Sequence, residues 1–303
     1  MNLYSIGIAF SVIICSAAYV LLSSRRTERG SAVLIAGVSA VTGLLMSRLV
    51  FWLGAADFFI GRTHSMMSFF WWTDGGFSLF GAVIGAAGGA WLCCRWLKAD
   101  PAAMDALALP VLLLVAEARL LEWTGHGMDF GASMDGPVWL TVAGEYSRKL
   151  NVALVEALLM ALIAVSLMTL AGRRARRITL RDTLFLVGLS ETLMISMRRD
   201  NYMMWGFVHQ EQLYFYLLSA AMCIWAGFEV KQGVPSVIAS FLTAGLIVLW
   251  EFGLDGRVHV PFAFLRDWAD PFWYCLFVLT LVGYIVFYAR LRRAERVRAC
   301  SNA

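Results

Sequence analysis

Charge is what this chain has least of. Asp, Glu, Lys and Arg supply 15% of its 303 residues, where a soluble domain carries about 25%. Hydrophobic residues supply 60%, and the mean hydropathy is +0.70. That balance excludes a soluble enzyme. Motifs for metal or nucleophile chemistry are missing too: there is no HExxH run, no GxSxG elbow and no zinc-type cysteine spacing. Five of the six cysteines fall in apolar blocks and Cys300 in the basic tail, so no disulfide framework is expected. The four histidines, His64, His126, His209 and His259, are scattered over loops and block edges. No low-complexity segment and no clear internal repeat is present. The opening MNLYSIG lacks a basic stretch and a small-residue cleavage site, so it reads as a retained first span.

What the chain does have is apolar length. Nine blocks, at roughly 4–23, 31–54, 77–96, 103–123, 150–171, 179–197, 211–229, 234–254 and 272–290, each approach the roughly 20 residues that cross a bilayer core. An all-α polytopic membrane protein is expected. Placing the amino terminus outside puts sixteen basic residues in cytoplasmic loops and seven in outer ones, with Arg48 and Arg119 inside spans. That bias follows the positive-inside rule for an external amino terminus and a cytoplasmic carboxyl terminus. The net charge of +4 is thus a topology signal and gives no reason to expect nucleic acid. VKQGVPS, with Gly233 and Pro235, marks a break, so the expected organisation is a seven-span body over 1–230 and a two-span extension over 231–303.

Two features inside the spans call for explanation. Gly81, Gly85 and Gly89 recur every fourth residue and share one helix face, which lets two helix backbones approach closely. Gly75 and Gly76, at the mouth of that span, suit an entry where backbone N–H groups face a ligand. Ionisable groups at membrane depth each cost about 2.5–3.5 kcal/mol on insertion scales, so each needs a partner or a task. The candidates are Arg48, Glu117, Arg119, Glu122, Glu156, Glu191 and Glu251. Arg119 and Glu122, three apart, meet on one helix face as an ion pair, or Arg119 binds an anionic headgroup. His126 follows a turn later, and Glu156 or Glu191 is a potential partner for Arg48.

The order of these residues resembles the prolipoprotein diacylglyceryl transferase family. WTDGGFSLFG, from Trp72, looks like the family's third-span W-x-x-G-G-x-S-x-x-G. LYSIG at Leu3 is similar to its I-Y-S-Y-G, SRLVFWL with Arg48 to G-x-R-L-x-Y-x-L, and MDALALP with Asp105 and Pro110 to A-D-x-x-A-P. EARLLEW with Arg119 falls at G-R-I-G-N-F, and VEALLMAL with Glu156 at the end of H-P-x-Q-L-Y-E. VGLSETLMISMRRD resembles Y-G-x-x-R-x-x-x-E-x-x-R. The likeness is co-linear over about residues 3–230.

The resemblance implies a multi-pass protein of the bacterial inner membrane that moves a diacylglyceryl group from phosphatidylglycerol to the lipobox cysteine of a preprolipoprotein. It implies no cofactor and no metal. Lipid-binding residues would be Arg48, Gly75, Gly76, Ser78, Arg119, Glu156 and Arg199, with Glu122 and His126 as catalytic candidates. Departures fall among the polar positions. Phe80 stands at a histidine, Glu122 at an asparagine, Thr192 at an arginine and Ser196 at a glutamate, while Leu150, Asn151 and Ala153 break H-P-x-Q. Loss of one preorganised donor typically lowers a rate about 10²–10³-fold. A phospholipid-binding protein with altered or lost catalysis is therefore expected, with an active transferase using a rewired site, or a transporter or structural membrane subunit, as the alternatives.

Overall fold

Ser78 shows how an apolar block becomes a bounded helix. Its backbone is extended and its side-chain oxygen accepts the Gly81 N–H at 3.3 Å, so the helix begins at Leu79 and not two residues earlier. At the other end Lys98 takes a left-handed conformation, and its N–H bonds back to Arg95 O. The computed structural model describes residues 3–23, 27–56, 69–70, 76–100, 102–126, 131, 137–143, 148–174, 179–198, 204–205, 208–258 and 269–301.

Among these residues nine long helices match the nine apolar blocks. They are α1 Leu3–Ser23, α2 Arg29–Gly54, α3 Leu79–Leu97, α4 Ala108–His126, α5 Val152–Arg174, α6 Leu180–Ser196, α7 Gln210–Glu229, α8 Gly233–Leu254 and α9 Ala269–Ser301. A one-turn helix, Ala102–Asp105, precedes α4 and breaks the fourth block in two. Asp100 starts it by accepting the Ala102 N–H at 2.7 Å. Two short antiparallel ladders occupy the loops: β1 Thr141–Ala143 with β2 Arg148–Leu150, and β3 Met204–Trp205 with β4 Val208–His209. The fold is that of an all-α polytopic membrane protein.

Six helices (α1, α2, α3, α5, α8 and α9) are long and apolar enough by themselves to cross a membrane. The remaining three carry much of the buried polar chemistry: Arg119 on α4, Glu191 and Thr192 on α6, and Gln210 and Gln212 on α7. The ninth block also runs further than expected. Arg292 pairs with Glu295 one turn on, and the helix continues to Ser301.

The chain divides into two compact units. The first comprises residues 1–183 and 197–203, and the second residues 184–196 and 204–303. In the first, α2 packs most extensively on α3, and α4 packs on both α1 and α5. The α2–α3 contact is where the glycine repeat acts. A Cβ at Gly81 would lie 2.5 Å from Met46 O, and one at Gly85 2.5 Å from Thr42 O. Thr42 Oγ1 lies 2.8 Å from Gly85 O, and Ser47 Oγ donates to Ser78 O at 2.7 Å. The two backbones therefore touch along their length, which a side chain on that face would prevent.

The second unit has a core of Phe185, Leu189, Tyr216, Cys223, Ile247, Phe277, Leu281, Tyr284 and Tyr288. Phe185 stacks on Tyr288 with ring centroids 3.9 Å apart. Buried hydroxyls join its helices: Tyr216 donates to Ser240 O, and Ser240 Oγ lies 2.6 Å from Tyr284 OH. Such bonds satisfy polar groups that lipid would leave unpaired.

Candidate functional site

Helix directions gather the polar residues of the first unit at one end. The bonds Ser47–Ser78 and Thr42–Gly85 make α2 and α3 antiparallel, so the end of α2 meets the start of α3. Gly7 of α1 approaches Leu121 of α4, and Arg119 of α4 reaches Glu156 of α5. Starts and ends of helices thus alternate around this end.

Arg119 and Glu156 are 1% and 0% exposed there. Arg119 Nε donates to Glu156 Oε1 at 2.5 Å. Glu156 Oε2 makes a second ion pair, with Arg198 Nη2 at 3.6 Å. Two guanidinium groups therefore share one carboxylate. Burying an ion is expensive, so a buried carboxylate held between two arginines is both neutralised and fixed in place. Arg119 thus has a carboxylate partner on the neighbouring helix α5. Glu122 and His126 occupy the last turns of α4, and their side chains lie outside the described residues.

Arg48 is fully buried and has a different set of partners. Its Nε donates to Phe69 O and its Nη1 to Gly76 O, both at 3.0 Å, and its guanidinium sits over the Phe51 ring at 5.8 Å. The potential Arg48–Glu156 pair is thus corrected: the described ion partners of Glu156 are Arg119 and Arg198. Arg48 instead ties down the entry to α3. Gly76 has a φ of +75°, and a Cβ there would run into the Phe51 ring, so glycine is required on both counts. Ser78, 2% exposed, is the cap of α3. Gly75 and Arg199 lie outside the described residues.

A partly open cavity of about 920 Å³, mouth included, lies among α1, α2, α3 and α4. Its lining is apolar or small, with Ile8, Val12, Gly43, Leu44, Ala82 and Leu114 among the residues that form it. The hydroxyls of Ser16, Tyr19, Ser39, Ser47 and Ser78 are the polar exceptions. Ser47, Phe77 and Ala118 line it and are the chain neighbours of Arg48, Gly76 and Arg119.

A family model, prolipoprotein diacylglyceryl transferase, matches residues 1–228. The chain belongs to that family. No curated protein matches it in a direct sequence comparison. Membership makes it a multi-pass, diacylglyceryl-transferase-like membrane protein, and α8 and α9 lie beyond the matched segment.

Within this transferase-like frame the sixth-span motif needs a correction. Counted from Gly188, the family's first arginine position falls on Glu191 and its last on Arg198, one residue before Thr192 and Arg199. Arg198 is also the residue that reaches Glu156. Counting the motif from its glycine was the signal that would have found it. Thr192, 0% exposed, bonds to Gly188 O at 2.7 Å within its own helix, and Glu191 is fully buried.

Proposed function

We propose that this transferase-like protein binds a phosphatidylglycerol-type phospholipid and is catalytically altered. The acyl chains would occupy the cavity among α1–α4, and the phosphate would sit at the Arg119–Glu156–Arg198 cluster. The observation that carries this is the cluster itself: two arginines gathered on one buried carboxylate. A phosphodiester has one negative charge and oxygens that match a guanidinium fork. Glu156 serves as the orienting anion, and Arg48, Gly76 and Ser78 shape the entrance. In the plasma membrane of a bacterium the amino terminus would face outside, and the carboxyl terminus the cytoplasm.

Transfer to a lipobox cysteine of a preprolipoprotein needs more than lipid binding. The thiol must lose its proton, and the departing glycerol phosphate must be stabilised. Phe80 stands where the family has a histidine, Glu122 where it has an asparagine and Glu191 where it has an arginine. An apolar group and two carboxylates work against a developing phosphate charge. The second reading, an active transferase with a rewired site, draws on α4 extending to His126, which puts a base on the helix that carries Arg119. Incubating the purified protein with phosphatidylglycerol and a lipobox peptide separates the two. No mass gain on the peptide is expected, and a diacylglyceryl adduct would establish the second reading.

A further inference from the structure

We propose that Tyr19 closes the foot of the cavity among α1–α4 and sets the length of acyl chain the cavity takes. Side chains of α1 line it from Ile8 through Val12, Cys15 and Ser16 to Tyr19, at the spacing of one helix face. α2 lines it in the same way from Ala36 to Ser47. Each stretch rises about 16 Å, so the cavity runs along the helices. Ile8, Ser47 and Ala118 mark its polar end, where Arg48 and Arg119 are the chain neighbours of the last two. Tyr19, Ala36 and Leu107 mark the other end. That foot is shut: Tyr19 is 1% exposed, and Ala36 and Leu107 are 5% exposed. Val12, Cys15, Ala40 and Leu44, further up the lining, are only half-buried. Ser23, Cys93 and Cys94 neighbour the Tyr19 hydroxyl and are buried in turn, so the cavity ends at this side chain.

The hydrocarbon core of a bilayer is about 30 Å thick, so one leaflet accounts for about half of that. An acyl chain that spans a single leaflet therefore fills the cavity from its polar end to Tyr19, and a longer chain meets the ring. Fit is what discriminates. A chain that leaves the bilayer exchanges one apolar medium for another and gains little from burial itself. A chain that overruns the foot must bend or displace packed side chains, and overpacking of this kind weakens binding roughly tenfold.

The inference rests on the proposal that phospholipid acyl chains occupy this cavity, and the test separates the two. Binding of phosphatidylglycerols that differ only in acyl length is measured by native mass spectrometry on the full chain. The parent is expected to bind them alike up to a limiting length and roughly tenfold more weakly beyond it. Tyr19→Ala is expected to bind the long lipids as tightly as the short ones. Tyr19→Phe keeps the ring and is expected to keep the parent's limit. Tyr19→Leu, a smaller change, is expected to move the limit in the same direction as Tyr19→Ala and provides the reading should Tyr19→Ala not accumulate. A parent without a limiting length would overturn the inference, and so would a limit that neither shortened side chain moves. Tyr19→Phe extending the limit as far as Tyr19→Ala would overturn it too, because ring volume would not be the cause. In each of these cases the binding itself would still support the phospholipid reading. No binding at any length would overturn that reading and this inference together.

Discussion

Replacing Glu156 with Gln keeps the side-chain volume and removes the only carboxylate described between Arg119 and Arg198. Arg119 is 1% exposed, so its charge has no route to water without the helices parting. Breaking a buried pair by deleting one partner costs about 3–5 kcal/mol. The amide oxygen still accepts from Arg119 Nε, which places the expected loss near the lower limit, about 3 kcal/mol. For a chain of this size that corresponds to a fall in Tm of roughly 6–12 °C. The assay is thermal unfolding in detergent, read by intrinsic fluorescence and by retention on size exclusion. A second effect follows from the charge. With the carboxylate gone, Arg119 and Arg198 lose the anion they share, so phosphatidylglycerol is expected to raise the Tm of the variant more than that of the parent. A variant that melts within roughly 1 °C of the parent and gains nothing from lipid would refute both the pairing and its burial.

Other substitutions probe the frame around this site. Gly85→Ala puts a Cβ 2.5 Å from Thr42 O, whereas a Cβ at Gly88 meets nothing within 4 Å. The first is expected to cost about 1–3 kcal/mol by overpacking, and the second to leave the melting curve in place; equal behaviour would disprove the close α2–α3 approach. Ser78→Ala removes the cap of α3 and is expected to lower stability by about 1 kcal/mol, with Ser78→Thr near the parent in the same unfolding assay. Gly76→Ala forces a side chain into a left-handed backbone against Phe51, so reduced yield of folded protein in membranes is expected. Normal yield would show that the entry loop has another conformation.

Particular residues show what could be read without coordinates. The glycine face was legible because Gly81, Gly85 and Gly89 repeat with the helix period, and a period survives any tertiary arrangement. The nine apolar blocks were legible for the same reason, length against bilayer thickness. Partners were another matter. Arg119 pairs with Glu156, 37 positions away, and nothing in the sequence around Arg119 says which helix faces it. Arg48 donates to the carbonyls of Phe69 and Gly76, and carbonyls leave no mark in a sequence. The bond from Glu251 to Gln212 was out of reach as well, since it depends on how α8 lies against α7. Ser78 is the instructive middle case. Its resemblance to a family motif suggested a lipid contact, and the structure adds that it caps α3.

The central claim is that the Arg119–Glu156–Arg198 cluster receives a phospholipid phosphate. It is tested most directly by measuring phosphatidylglycerol binding to the purified protein beside the double variant Arg119→Gln, Glu156→Gln. That pair of changes removes the buried Arg119–Glu156 ion pair as a unit and keeps Arg198, so neither partner is left as a lone buried charge and the fold is expected to persist. At least a tenfold loss of bound phosphatidylglycerol is predicted, from the loss of the charge-assisted contact to Arg119. Binding equal to the parent by a folded double variant would contradict the account.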